Sequence, residues 1–218
     1  MNLEGKVVVV TGASKGLGFE LARAFSEKQG RVVLNARDEV KLRKVARELD
    51  MPYSIGDVRN YEDMERVAGF AETYGTIGVW VNNAGVYSWE EPGTTADPND
   101  IHRVIATNLV GSINGGEVAL KHMQPRNQGN IIFITSTSAE KVMAKERVYG
   151  ASKAGVRQYA MNLAAECEKH GILVSTYLLG RLRPEKPKDR SYLDPEHIAR
   201  IIVKGIEEDR FGEFTYTP

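Results

Sequence analysis

Tyr149 and Lys153, a tyrosine and a lysine four residues apart, are the side chains in this sequence best spaced for chemistry. On a helix they project from one face, one turn apart. A phenol with an ordinary pKa of about 10 then lies in the field of an ammonium group. The ammonium is expected to stabilise phenolate and lower the tyrosine pKa toward neutrality, which suits a proton donor or acceptor at cellular pH. The same spacing arises by chance on many amphipathic helices, so the pair gains meaning only from what accompanies it.

The elements that must position this pair alternate between strand and helix. Lys6–Thr11 is a continuous β-branched run, as expected for a central parallel strand buried on both faces. Helical spacing follows over Gly16–Gln29, through Leu17, Leu21, Ala24 and Phe25. Further strands are expected at Arg31–Ala36, Tyr53–Asp57, Ile77–Asn82, Asn130–Thr135 and Ile172–Leu178, with a terminal strand at Glu213–Thr217. Helices are expected over Asp38–Leu49, near Tyr61–Tyr74, near 98–124, about 149–170, and from Asp194-Pro195 to about Glu208. The Asp97-Pro98 and Asp194-Pro195 pairs each supply an N-cap and a first-turn proline. Seven strands separated by helices imply a single-domain, Rossmann-like, doubly wound parallel sheet spanning 1–218.

Between the first strand and first helix runs Thr11-Gly12-Ala13-Ser14-Lys15-Gly16-Leu17-Gly18. Glycines here allow a sharp turn and let a pyrophosphate approach backbone N–H groups at a helix N-terminus. The second strand ends in Asn35-Ala36-Arg37, where a chain selective for NAD would usually carry an acidic ribose ligand. Arg37 and Lys15 are two cations suited to a 2′-phosphate, so NADP(H) is favoured over NAD(H). Asp38 reads as the N-cap of the second helix, and Asp57-Val58 is expected to lie over the adenine.

These motifs resemble the short-chain dehydrogenase/reductase family, through nearly the whole chain. The resemblance rests on the glycine turn, Asn82-Asn83-Ala84-Gly85 after the fourth strand, Asn108, Ser136 and Tyr149-x-x-x-Lys153, in that order. It implies that Asn83, Ala84 and Gly85 support the central strand and cofactor, and that Asn108 holds a water in a proton relay. It implies that Ser136 hydrogen-bonds the substrate oxygen, with Ser138 a lesser candidate, while Lys153 also holds the nicotinamide ribose. Gly180 matches the glycine that follows the sixth strand. Leu179 and Pro184 stand where the family has proline and threonine, and a short basic lid is expected at about 181–193. Tyr87, Trp89 and Met143 are expected to line the substrate pocket.

The expected function is therefore NADP(H)-dependent interconversion of a carbonyl and an alcohol, with a small-molecule substrate. The competing reading is a dinucleotide-binding sensor or scaffold that kept the fold and lost turnover. Lysine plus arginine and aspartate plus glutamate number 29 each, so bulk charge points to neither nucleic acid nor membrane. Four scattered histidines lack metal-ligand spacing, so no metal is expected, and the single cysteine, Cys167, fits a reducing compartment. No apolar run approaches a membrane span, and no leader is read at the N-terminus. A cytoplasmic protein is expected, and the resemblance implies a homodimer or homotetramer packed through the long helices.

Overall fold

A computed structural model describes residues 1–183 and 192–218 of the chain. Seven parallel strands form one sheet in the order β3-β2-β1-β4-β5-β6-β7. The strands are β1 (Val7–Thr11), β2 (Arg31–Ala36), β3 (Tyr53–Ile55), β4 (Ile77–Asn82), β5 (Gly129–Ser136), β6 (Ile172–Leu179) and β7 (Gly212–Tyr216). Their pleat divides the core in two. Val8, Val10, Val32, Leu34, Val79 and Val81 face one layer, with Leu17, Leu21 and Phe25 of α1 (Gly16–Glu27) and Ile198 and Ile202 of α7 (Pro195–Glu207). Leu42, Val45 and Ala46 of α2 (Glu39–Leu49) complete that layer. Val7, Val9, Val33, Trp80 and Phe133 face the other, against α3 (Tyr61–Glu72), α5 (Gly111–Met123) and α6 (Arg147–Cys167). This is the doubly wound arrangement that seven buried strand runs require.

The boundaries differ from expectation in three instructive places. β3 stops at Ile55, two residues early, because Asp57 N–H donates to Asp63 Oδ2 at 2.8 Å rather than continuing a ladder. The helix expected near 98–124 is α4 (Pro98–Val104), a π-helical turn over Ile105–Val110, and then α5. The π turn carries the buried Thr107 and Asn108. Third, α6 begins at Arg147, two residues before Tyr149, and Glu90 Oε2 accepts the Arg147 N–H at 2.8 Å. Among the described residues no helix is long and apolar enough to cross a membrane.

The strand order reverses between β1 and β4, so their carboxyl ends flank the crevice where open α/β sheets bind ligands. The glycine turn, Arg37, Asp57, Asn83-Ala84-Gly85 and Ser136 sit at the carboxyl ends of strands or just beyond them, while Asn108, Tyr149 and Lys153 come from helical segments.

Candidate active site

Thr11 closes the β1 end of the crevice. Its hydroxyl donates to Val81 O at 3.1 Å and accepts the N–H groups of Asn83 and Ala84 at 3.0 and 3.1 Å. The Asn83 side chain returns a bond to Thr11 O at 2.9 Å. The turn after β1 and the turn after β4 are thereby latched together. Two glycines make the approach possible. A Cβ on Gly12, whose φ is +67°, would stand 2.8 Å from Ala84 Cα, and one on Gly18 would stand 2.3 Å from Gly12 O.

Over this latch opens a cleft of about 1330 Å³. Its walls include the expected Gly12, Ser14, Lys15, Gly16, Leu17, Gly18, Arg37, Asp57, Val58, Asn83, Ala84 and Gly85. Gly180 lies outside this lining, its N–H given to Tyr216 O at 2.8 Å. Asn35 and Thr107, which carry no motif signal, also line the cleft. Each is buried, and Asn35 Oδ1 and Thr107 Oγ1 have no hydrogen-bond partner within the protein among the described residues. Buried polar atoms left over at a cleft wall suit a polar ligand, since orphaned groups are otherwise costly. Asp38 caps α2, accepting from Lys41 N at 3.1 Å and pairing with Lys41 Nζ at 2.7 Å, as its N-cap reading requires. The Asp57 carboxylate is bound by the Arg59 guanidinium, which holds its pKa below the usual carboxylate range, while Val58 is packed beneath the cleft.

Behind the latch lies the Tyr149 group. Gly85 backs onto two of its members, for a Cβ there would stand 3.5 Å from Asn108 Oδ1 and 3.6 Å from Lys153 Nζ. Asn108 donates to Val86 O at 2.9 Å and to Ser152 Oγ at 3.0 Å, and accepts Val86 N–H at 2.8 Å. The π turn is what aims this amide at Val86, and such turns recur at functional positions in helices. The Asn108 bonds join the π turn to Val86 and to Ser152 of α6. Ser136 ends β5 and caps a short 3₁₀ turn, accepting Ser138 N–H at 3.2 Å. Its hydroxyl donates to Ser138 Oγ at 3.1 Å, and its presence favours the ionised form of Tyr149.

The electrostatics correct the expectation from spacing. The Lys153 charge is not among the effects that set the Tyr149 pKa. Burial is the largest cause acting on Tyr149 and pushes it up to about 12; the Ser136 hydrogen bond lowers it, and the Glu146 charge raises it. Burial likewise pushes Lys153 down to about 8, with its amine donating to Ile134 O at 3.0 Å, 5.8 Å from the Tyr149 ring centre. Desolvation decides the direction of both shifts.

Of the expected pocket aromatics, Tyr87 meets Tyr149 edge to face, with ring centres 5.0 Å apart. Trp89 instead lies under Lys145 Nζ at 4.8 Å and, like Met143, is exposed. The lid ends are tied together, with Arg183 N–H to Leu193 O and Leu193 N–H to Arg181 O both at 2.8 Å. The charge of Arg183 is matched by Asp194 at 3.0 Å. Pro184 and the lid residues Glu185, Lys186, Lys188, Asp189 and Arg190 lie outside the described residues. Glu146, missed by the sequence reading, is buried among Tyr87, Ser138 and Tyr149. Its only signal in the sequence is a carboxylate three residues before the tyrosine.

A sheet wound on both faces, a glycine latch at its reversal and a Ser–Tyr–Lys group beside it define a dinucleotide-fold oxidoreductase site. The chain belongs to the short-chain dehydrogenase family, whose model matches residues 6–190. It is 31% identical to an uncharacterized oxidoreductase of Staphylococcus saprophyticus over 95% of this chain and 94% of that one. Among solved structures, a metagenomic short-chain oxidoreductase in complex with NADP superposes with a TM-score of 0.86 at 29% identity, covering 100% of this chain and 99% of that one. An alcohol dehydrogenase from the archaeon Thermococcus sibiricus, complexed with 5-hydroxy-NADP, gives 0.88 at 26% identity, covering 97% and 96%.

Proposed function

We propose that this protein is an NADP(H)-dependent oxidoreductase that interconverts a carbonyl and an alcohol, with Tyr149 as the acid and base. One observation carries the reading. Tyr149 stands one helical turn from the buried Lys153 amine, whose Nζ lies 5.8 Å from the phenol ring centre, with Ser136 at the end of β5 acting on the phenol, beside a glycine-latched cleft. That cleft fits a dinucleotide, since the glycine turn and the N-terminus of α1 line it, with polar atoms on Asn35 and Thr107 that have no partner among the described residues. When bound, the nicotinamide supplies or accepts hydride at the substrate carbon.

The chain's own residues handle the oxygen and the proton. Tyr149, held as neutral phenol, gives its proton to the carbonyl oxygen. Ser136 orients that oxygen and polarises it. Lys153 supplies positive charge as phenolate forms and, by the family resemblance, holds the nicotinamide ribose. Asn108 keeps Val86 and Ser152 in place. Lys15 and Arg37 on the cleft wall support preference for the 2′-phosphate, and the NADP-bound relatives support the same choice. The single buried cysteine supports a cytoplasmic setting, and a homodimer or homotetramer belongs to the same proposal.

The test is NADPH oxidation against a panel of aldehydes, ketones and diketones, with sedimentation to size the assembly. Turnover of at least one carbonyl that is abolished in Tyr149→Phe supports the reading. NADPH binding without turnover of any panel member would favour the sensor instead.

A further inference from the structure

Glu146 sits in a place where a carboxylate is expensive. Only 6% of it is exposed, and it stands immediately before the first residue of α6. A residue there usually serves the helix by accepting a first-turn N–H. Here that task belongs to Glu90, whose Oε2 accepts the Arg147 N–H while Oε1 accepts Ser88 Oγ at 3.1 Å. Glu146 is released to point elsewhere. One oxygen accepts the Tyr87 hydroxyl at 3.0 Å, and the other accepts the Ser138 hydroxyl in a short hydrogen bond. Both partners are neutral hydroxyls. Among the described residues no cation pairs with it; a buried carboxylate so placed costs stability, and such groups concentrate where a function needs them.

Both of its bonds lead back to Tyr149. Ser138 Oγ accepts the Ser136 hydroxyl at 3.1 Å, and Ser136 acts on the phenol, favouring its ionised form. Tyr87 packs its ring edge to face on the Tyr149 ring. The carboxylate thus closes a loop of contacts through both neighbours of the reacting tyrosine. We propose that Glu146 is a positioning residue that fixes Ser136 and Tyr87 around Tyr149 and keeps the transferable proton on the phenol. The consequence is directional: the Glu146 charge favours carbonyl reduction, which uses the phenol form, and opposes alcohol oxidation, which needs phenolate and so gains as pH rises.

The charged and titratable groups around Tyr149 come from each packed element. Lys153 approaches along α6, Glu146 from the turn before it, Tyr87 from the loop after β4, and the Arg181 charge is felt at Tyr87 from the segment after β6. Burial favours the neutral phenol first; Glu146 adds to that, and the Ser136 bond opposes it. The inference rests on the reading of Tyr149 as proton donor, so its test separates the two. Tyrosinate absorbance is titrated in the cofactor-free protein for wild type and Tyr149→Phe, and for Glu146→Gln with and without Tyr149→Phe. Each difference isolates the Tyr149 curve.

The Gln variant keeps the shape, removes the charge and turns one of the two hydroxyl acceptors into an N–H donor, so the Tyr149 midpoint is expected to fall by about one pH unit, about tenfold in proton affinity. With cyclohexanol as substrate, or the alcohol of whichever panel carbonyl turns over, the alkaline rise of oxidation should move down by the same amount, KM changing by less than about threefold. Superimposed Tyr149 curves in wild type and Glu146→Gln overturn the inference. If Tyr149→Phe retains turnover, the parent reading fails, whatever Glu146 does. Should Glu146→Gln fail to fold by circular dichroism, Tyr87→Phe combined with Ser138→Ala takes its place. That pair leaves the carboxylate and strips its donors, so the Tyr149 midpoint should rise; an unchanged midpoint overturns the inference.

Discussion

Tyr149 and Lys153 show how burial reverses what spacing suggests. An exposed i, i+4 tyrosine and lysine would ease each other's ionisation, but here desolvation moves the phenol up and the amine down. Both groups are driven toward neutrality. For the tyrosine this leaves a proton ready to give, and Tyr149→Phe is expected to lower kcat by about a thousandfold, while NADPH affinity, read by fluorescence titration, stays within about threefold. Activity within a few-fold of wild type would sink the assignment. For the lysine the displacement also marks stability. Its folded pKa of about 8 lies below the model-peptide value of 10.5, so between those values the unfolded chain binds the extra proton. Stability therefore rises with pH across that window. Below pH 8 the buried charge is a fixed penalty of about 3 kcal/mol. Urea unfolding near neutrality and again near the top of the window should show the rise in wild type. Lys153→Met should lack it, unfold at least as late near neutrality, and turn over nothing.

At the scale of elements, the site is assembled by irregularities rather than by regular helix and strand. The π turn over Ile105–Val110 brings Asn108 onto Val86 and Ser152. The Thr11 hydroxyl serves three backbone groups from two turns. Thr11→Val keeps the shape and the β-branching but leaves the Asn83 and Ala84 N–H groups and Val81 O without it. The expected loss is about 2–3 kcal/mol in denaturant unfolding, with weaker NADPH binding because the two turns that face the cleft come unlatched. Unchanged stability and affinity would mean that packing alone holds the turns. The lid ends belong to the same class of device, joined by the Leu182–Leu193 bridge and by Arg183 with Asp194. That ion pair halves the positive charge available from the two described lid arginines, Arg181 and Arg183, and weakens any preference for anionic substrates built on them.

Across the whole molecule, the charge is balanced, so selectivity for a phosphorylated cofactor must be local. Lys15 and Arg37 approach the cleft from two different strand ends, while Lys41 is engaged by Asp38. Arg37→Asp is expected to cost NADPH roughly 10- to 150-fold in affinity, from about 1.5–3 kcal/mol of lost charge-assisted bonding, and to move preference toward NADH. The measurement is kcat/KM for both cofactors in both proteins. A wild type that already prefers NADH contradicts the reading of these two cations.

Several features were legible in the sequence because they are local. β-Branched runs must be strands buried on both faces, and their alternation with helices dictates a doubly wound sheet with its crevice at the reversal of strand order. Glycine spacing after the first strand marks the cleft, and the Asp-Pro pairs mark helix starts that the structure has at Pro98 and Pro195. Ser136, Tyr149 and Lys153 could be named by order and spacing. What only the tertiary structure decided depends on neighbours distant along the chain. The direction of the Tyr149 and Lys153 shifts follows from their burial. Asn35 and Thr107 became site residues because folding left one buried atom of each without a partner. Glu146 became one because Glu90, from the loop after β4, took over the helix cap and turned it inward, toward hydroxyls from two other segments. Periodicity reports which face of an element is buried; it carries no information on which polar atoms meet once those faces close.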